Sequence, residues 1–229
     1  MAPKRIAFEE GVVLAGAMDV VRRKGLESLT ARGVAAHLQS SVAPVYRAFL
    51  SMEGLERAVL EEARRIMDDM TRRAWTDIPF LNIGVGIVVF ARDESRLFQA
   101  LFLSRHHSLD ILKSFRESVL DRMRADALLR LLPDSQLRRL LESIWLFTLG
   151  LGSAIVNGQL PDAGTDEIIR RLKDMGSVLM FAEVSGLADS DSPESDREWE
   201  RQIREKGIVL PPQASTHPTA HPKRPKEES

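Results

Sequence analysis

From Val13 to Leu179, apolar residues recur three and four positions apart, and each such stretch breaks at a Gly, a Pro or a Ser. That spacing places one apolar stripe along a helix, and no convincing pair of strand segments competes with it. The chain is therefore expected to be all-α. Leu, Ala, Arg and Glu dominate, as in helical proteins, whereas 6% aromatic residues and 14 glycines in 229 residues disfavour propeller, jelly-roll and collagen architectures. With 44% hydrophobic and 28% charged residues, most of the chain should fold, as one large domain or two small ones.

Cysteine is absent, which removes disulfides, thiolate nucleophiles and Cys-ligated metal sites. Glu9 and Glu10 stand where a signal peptide needs apolar residues, and no run is expected to reach the roughly 18 apolar residues of a membrane span. A soluble, non-exported, cytoplasmic protein without membrane contact is the expectation. Charge is uneven: residues 1–50 carry seven Lys/Arg against four Asp/Glu, residues 51–188 carry 18 against 20, and residues 189–229 seven against nine. Only the N-terminal fifth is basic, which marks where a polyanion would dock.

The first helix reads as Ile6 to Lys24, with Val13, Leu14, Ala17, Met18 and Val21 on one stripe and Gly25 as its C-terminal cap. Thr30 caps a second, ending near Leu38, and Ser41 is positioned to cap a third from Val42 to Phe49, where Pro44 falls in the tolerant first turn. Ser51 caps a long fourth pattern that continues to Trp75. Further helices are expected over 80–92, 95–107, 109–130, 134–157 and 165–185, nine in all. The tail from Asp189 is acidic and Ser-rich; a short helix at 193–206 would place Trp199 and Ile203 on one face. Residues 211–229 lack apolar periodicity and are expected to be disordered.

Two short helices joined by a tight turn and braced by a longer preceding helix make a helix-turn-helix, whose second helix can lie in the major groove of DNA. Over residues 10–60, Gly25, Thr30, Val34, Ala35, Ser41, Tyr46, Phe49 and Leu55 resemble, without a gap, the N-terminal domain of the TetR (tetracycline-repressor-like) family of bacterial transcription regulators. The chain departs from that pattern at Gln39, where the family usually has the turn glycine, and at Met52, where it usually has lysine. Gln39 must then take a left-handed conformation or alter the turn.

The resemblance implies a DNA-binding domain at 1–50 and a ligand-binding and dimerisation domain at 51–188, followed by the tail at 189–229. It implies a homodimer on a double-stranded operator, a small apolar or amphipathic effector, no cofactor and no metal. Candidate DNA contacts are Thr30, Arg32, Ser41, Val42, Ala43, Pro44, Tyr46 and Arg47. Arg47, the charged residue of the third helix, can pair bidentately with guanine, while Tyr46, Ser41, Thr30 and Arg32 would position phosphates. The segment Ile83 to Phe102, and Trp145-Leu-Phe-Thr-Leu-Gly150-Leu, look like the Trp-His-Gly-type C-terminal subtype, with Leu149 at the histidine position.

Large apolar residues exceed what one bundle face needs, so Met67, Met70, Trp75, Phe90, Phe98, Phe102, Phe115 and Met123 are candidates for an effector pocket, or alternatively for ordinary core. Arg92, Arg105 or Arg116 would meet an anionic end. Trp145, Gly150, Gly152, Ala154, Ile168, Leu172, Met175 and Leu179 are the candidate dimer interface, the small residues allowing close helix crossing. His106, His107 and Asp110 suggest a metal only weakly, because no third ligand is evident. No enzymatic motif of the phosphate-loop, Gly-x-Ser-x-Gly or His-Glu-x-x-His type occurs. The expected function is a ligand-responsive repressor released from its operator by its effector. The alternatives are a helical sensor or interaction protein with weak or lost operator binding and, behind it, an all-α enzyme.

Overall fold

A computed structural model describes residues 9–104, 109–161, 163–185 and 201. Among them are nine α-helices, two single 3-10 turns and no strand, an all-α architecture. The helices are α1 (Glu10–Lys24), α2 (Ala31–His37), α3 (Ala43–Phe49), α4 (Met52–Thr71), α5 (Pro79–Asp93), α6 (Ser95–Phe102), α7 (Leu109–Ala125), α8 (Asp134–Val156) and α9 (Thr165–Val184). Spatial contacts group residues 1–184 into one unit and 185–229 into another. The expected helix at 193–206, the disorder at 211–229 and the first residues of the expected first helix lie outside the described residues.

Local signals account for most boundaries. Gly25 ends α1 at φ 86°, donating its amide to the Val21 carbonyl at 2.8 Å. The hydroxyls of Thr30 and Ser51 each accept an amide three residues on, from Gly33 and Gly54, both at 3.0 Å. Ser41 does not cap α3: Val42 holds the cap position, already helical in its backbone, and no side chain accepts there. Gln39 takes φ 51°, the left-handed turn that its position demands. Trp75 lies beyond the end of α4, which stops at Thr71; the indole N–H instead donates to the Met70 carbonyl at 2.9 Å.

α5 is the axis of the unit. It packs against α4, α8 and α9, and Ile83, Val85, Ile87, Val88, Val89, Phe90 and Ala91 are all buried. One apolar cluster runs from Val13 in α1 through Leu55, Met67, Phe98 and Phe115 to Trp145 in α8, so α1–α3 share a core with the helices that follow. A second, smaller cluster joins Val85 and Val89 of α5 to Leu151 of α8 and Ile168 and Leu172 of α9. α8 is, by length and composition, apolar enough to cross a membrane, contrary to the expectation that no segment would be. Here its apolar stripe packs on α5, α7 and α9.

Three contacts fix α4 along its length. At its C-terminus, a Cβ on Gly86 would lie 2.5 Å from both Cα and N of Thr71, so α5 crosses at a distance that only glycine permits. Arg122 of α7 donates to the Thr71 hydroxyl at 3.0 Å and to its carbonyl at 2.9 Å, capping the same turn. Burial, reinforced by Arg72 and opposed by Asp68, pushes the Arg122 guanidinium below its ordinary range. Near the other end, Arg57 pairs with Asp110 of α7 at 2.8 Å.

Candidate nucleic-acid interface and effector grooves

Pro44 and Val45 root α3 in the core formed with α1, α2 and α4, which turns Val42, Ala43, Tyr46 and Arg47 outward. Tyr46 is 48% exposed, and Arg47 makes no ion pair among the described residues. Thr30, Arg32 and Ser41 are also exposed. Pro44 is the exception among the expected DNA contacts: it is buried, because its ring fills the first turn of α3 against the core. Leu50 was not anticipated. It ends α3 at φ 58°, ψ −36°, a backbone that favours glycine, with its side chain 88% exposed.

Besides the shared core, a bidentate pair ties α1 to the α5–α6 corner. Arg22 of α1 donates through Nε and one terminal nitrogen to the two carboxylate oxygens of Glu94, at 2.9 and 3.0 Å. Glu94 is the joint between α5 and α6, so the pair links that corner to α1.

Most of the expected pocket residues are core. Met67, Phe90, Phe98, Phe115 and Met123 are at most 1% exposed and interlock with their neighbours. Met70 and Trp75 are partly buried beside the smaller cluster. Phe102 alone among the eight lines a groove, of about 480 Å³, between α7 and α8. Leu112, Leu120, Leu141, Trp145 and Leu149 form its apolar wall, and Lys113, Arg116, Glu117, Arg138 and Glu142 its charged rim. Trp145 is wedged between Phe102 and Phe115, with ring centroids 5.9 and 6.0 Å away, and Arg116 lies 5.5 Å from its centroid. Arg92 is engaged elsewhere, with Asp93 and Thr165, and Arg105 lies outside the described residues.

A second groove, of about 560 Å³, runs between α5, α8 and α9, with Phe80, Ile144, Phe147, Met175 and Phe181 among its walls. It went unseen in the sequence because Ile144, Leu172 and Met175 also fit the apolar stripes of their own helices. Four of the expected interface residues face the chain's own core: Trp145, Gly152, Ile168 and Leu172 are buried, and a Cβ on Gly152 would lie 2.9 Å from Phe98. Gly150 is open, whereas Ala154, Met175 and Leu179 are half-buried. The exposed apolar side chains of these two helices are Leu146, Val178, Phe181 and Val184, each 63–65% exposed. His106 and His107 lie outside the described residues, and Asp110 is engaged by Arg57.

An all-α unit that presents a short outward-facing helix after a tight turn and carries a grooved helical bundle has the fold of the TetR-family transcriptional regulators. A TetR-family transcriptional regulator from Streptomyces coelicolor superposes with TM-score 0.63 at 16% identity, covering 86% of this chain and 97% of that one. The multidrug-binding protein EbrR, complexed with imidazole, gives 0.53 at 17% identity over 77% and 95% of the two chains. NalD, the secondary repressor of the MexAB-OprM multidrug efflux pump in Pseudomonas aeruginosa, gives 0.52 at 14% identity over 73% and 92%. No protein-family model matches the sequence, and no curated protein matches it.

Proposed function

We propose that this chain is a TetR-family regulator: a cytoplasmic, non-enzymatic homodimer that binds an operator through α3 and is released by a small apolar or amphipathic effector. The observation that carries the reading is the outward face of α3, where Tyr46 and Arg47 stand exposed on a helix anchored by Pro44 and Val45. Arg47 supplies base readout, and Tyr46, Ser41, Thr30 and Arg32 position the phosphates. Residues 1–50 form the DNA-reading part and 51–188 the effector-binding and dimerising part, with Trp145 to Leu151 as the counterpart of the Trp-His-Gly-type helix.

Dimerisation uses the outer faces of α8 and α9, through Leu146, Gly150, Val178, Phe181 and Val184. Two copies of this apolar face are self-complementary about a two-fold axis. The effector occupies the α7–α8 groove. Its entry displaces α6 and α7, and the Arg22–Glu94 pair and the clamped α4 carry that displacement to α3. An effector shifts operator affinity only by its differential affinity for the two arrangements.

Titrating the protein against labelled duplexes from the DNA flanking its own gene tests the reading. Arg47→Ala is expected to cost about 1–3 kcal/mol on the cognate site and to relax specificity there, while Tyr46→Phe weakens cognate and random DNA alike. Leu50 and Met52, apolar at the α3–α4 corner where a cation would grip phosphate, favour a second reading: a ligand sensor without operator binding. Equal, weak, salt-sensitive binding to every duplex would select it.

A further inference from the structure

Inside the bundle, beyond the α7–α8 groove, lies a cavity of about 20 Å³ whose lining includes Gly84 and Ile87 of α5, Val119 of α7, and Ile144, Trp145 and Thr148 of α8. Its walls are apolar apart from the indole N–H of Trp145 and the hydroxyl of Thr148. Thr148 is 1% exposed, and its hydroxyl is the buried side-chain polar atom that finds no hydrogen-bond partner among the described residues. Packing does not require that hydroxyl. Valine has the same shape and would remove a buried, unsatisfied polar group, so the oxygen opposes the stability of the fold it sits in.

The cavity shares Phe80, Gly84 and Ile144 with the α5–α8–α9 groove, whereas it and the α7–α8 groove share Leu141 and Trp145. Trp145 is therefore the partition between them, held by ring contacts with Phe102 and Phe115 and by Arg116 rather than by a hydrogen bond. Across the cavity, Gly84 has no side chain, and a Cβ there would lie 3.7 Å from the Thr148 oxygen. Alone, the cavity holds no more than about one water-sized group. Joined to the groove of about 480 Å³ by a turn of the Trp145 ring, it becomes the deep end of a site sized for a small organic molecule.

We propose that Thr148 is the polar anchor of the effector site and that the site takes an uncharged aromatic molecule bearing one hydrogen-bonding group, such as an alkylphenol. This rests on the reading of the bundle as an effector domain. The rim argues against an ion: Arg138 is engaged by Asp134, which leaves Lys113 and Arg116 balanced by Glu117 and Glu142. The wall of Phe102, Leu141 and Trp145 accepts the ring, and the unpartnered Thr148 hydroxyl, a donor and an acceptor at once, accepts the polar group at the far end.

The test titrates the full chain by calorimetry with 4-ethylphenol and with ethylbenzene, in the parent protein, Thr148→Val and Thr148→Ser. Parent and Thr148→Ser are expected to prefer the phenol by about tenfold, the factor that one buried hydrogen bond supplies. Thr148→Val should bind both probes within about twofold of each other while keeping its affinity for ethylbenzene, and a thermal melt checks that it is folded. A phenol preference that survives in folded Thr148→Val, or a parent that binds neither probe, overturns the proposal. Operator titrations beside these separate the two claims. Intact DNA binding without a phenol preference removes the anchor but not the regulator; a Thr148-dependent preference that leaves DNA affinity unchanged supports the anchor and removes the effector response.

Discussion

Replacing Gly86 by alanine adds one methyl group where α5 crosses α4, and the atoms it meets are backbone: Cα and N of Thr71 at 2.5 Å and C of Met70 at 2.6 Å. None of them can rotate away. Restoring van der Waals distance requires the two helices to part by about 1 Å. Overpacking of this kind costs about 1–3 kcal/mol. The same displacement pulls Thr71 from Arg122, whose charge-assisted bonds are worth about 1.5–3 kcal/mol each, and the gain in helix propensity returns about 1 kcal/mol. A net loss of about 3–8 kcal/mol follows, which for a unit of this size lowers Tm by about 6 °C or more. Circular dichroism melts at one fixed protein concentration read the shift. Gly11→Ala is the control: it lies away from the proposed interface and its methyl meets nothing within 4 Å, so helix propensity alone should raise Tm slightly. A Gly86→Ala protein that melts within about 2 °C of the parent would refute the claim that α4 is held by backbone contact.

Other consequences are open to direct measurement. Leu50→Gly, at φ 58° with an exposed side chain, should relieve more backbone strain than glycine's added chain entropy costs, a gain of about 1 kcal/mol in guanidinium unfolding; a lower midpoint would show that the leucine packs. Gly152→Arg should fail to fold, because its side chain enters the space of Phe98, whereas the double change Leu146→Glu and Val178→Glu should fold but sediment as a monomer. A dimer persisting in that double variant at micromolar concentration would place the interface elsewhere. Glu167 is held at about 2, first by Arg170 and then by Arg171, far below the usual 4.5 for glutamate. Its contribution to stability is therefore present above 4.5 and lost as pH falls through about 2. Carbon NMR should follow that low titration in the parent and find it moved up in Arg170→Ala.

Sequence by itself determined the order and nature of the helices and the chemistry offered by α3. Apolar spacing, Thr30 and Ser51 at their caps, Gly25 at its positive φ and the demand on Gln39 are local matters, settled within a few residues of chain. The outward placement of Tyr46 and Arg47 was legible for the same reason. Three things needed the tertiary structure: which apolar residues become core, which line a groove, and which stay exposed. Met67, Phe90, Phe98 and Met123 have the composition of a pocket wall but are enclosed from all sides, while Leu146, Val178 and Phe181 have the composition of core but remain at the surface. Gly152 and Gly86, alike as small residues in helices, separate only when Phe98 and the Thr71 backbone are found against them. Helical periodicity reports that a residue is apolar and on which stripe it lies. What faces that stripe depends on residues tens or hundreds of positions away, and so does whether a hydroxyl such as that of Thr148 finds a partner.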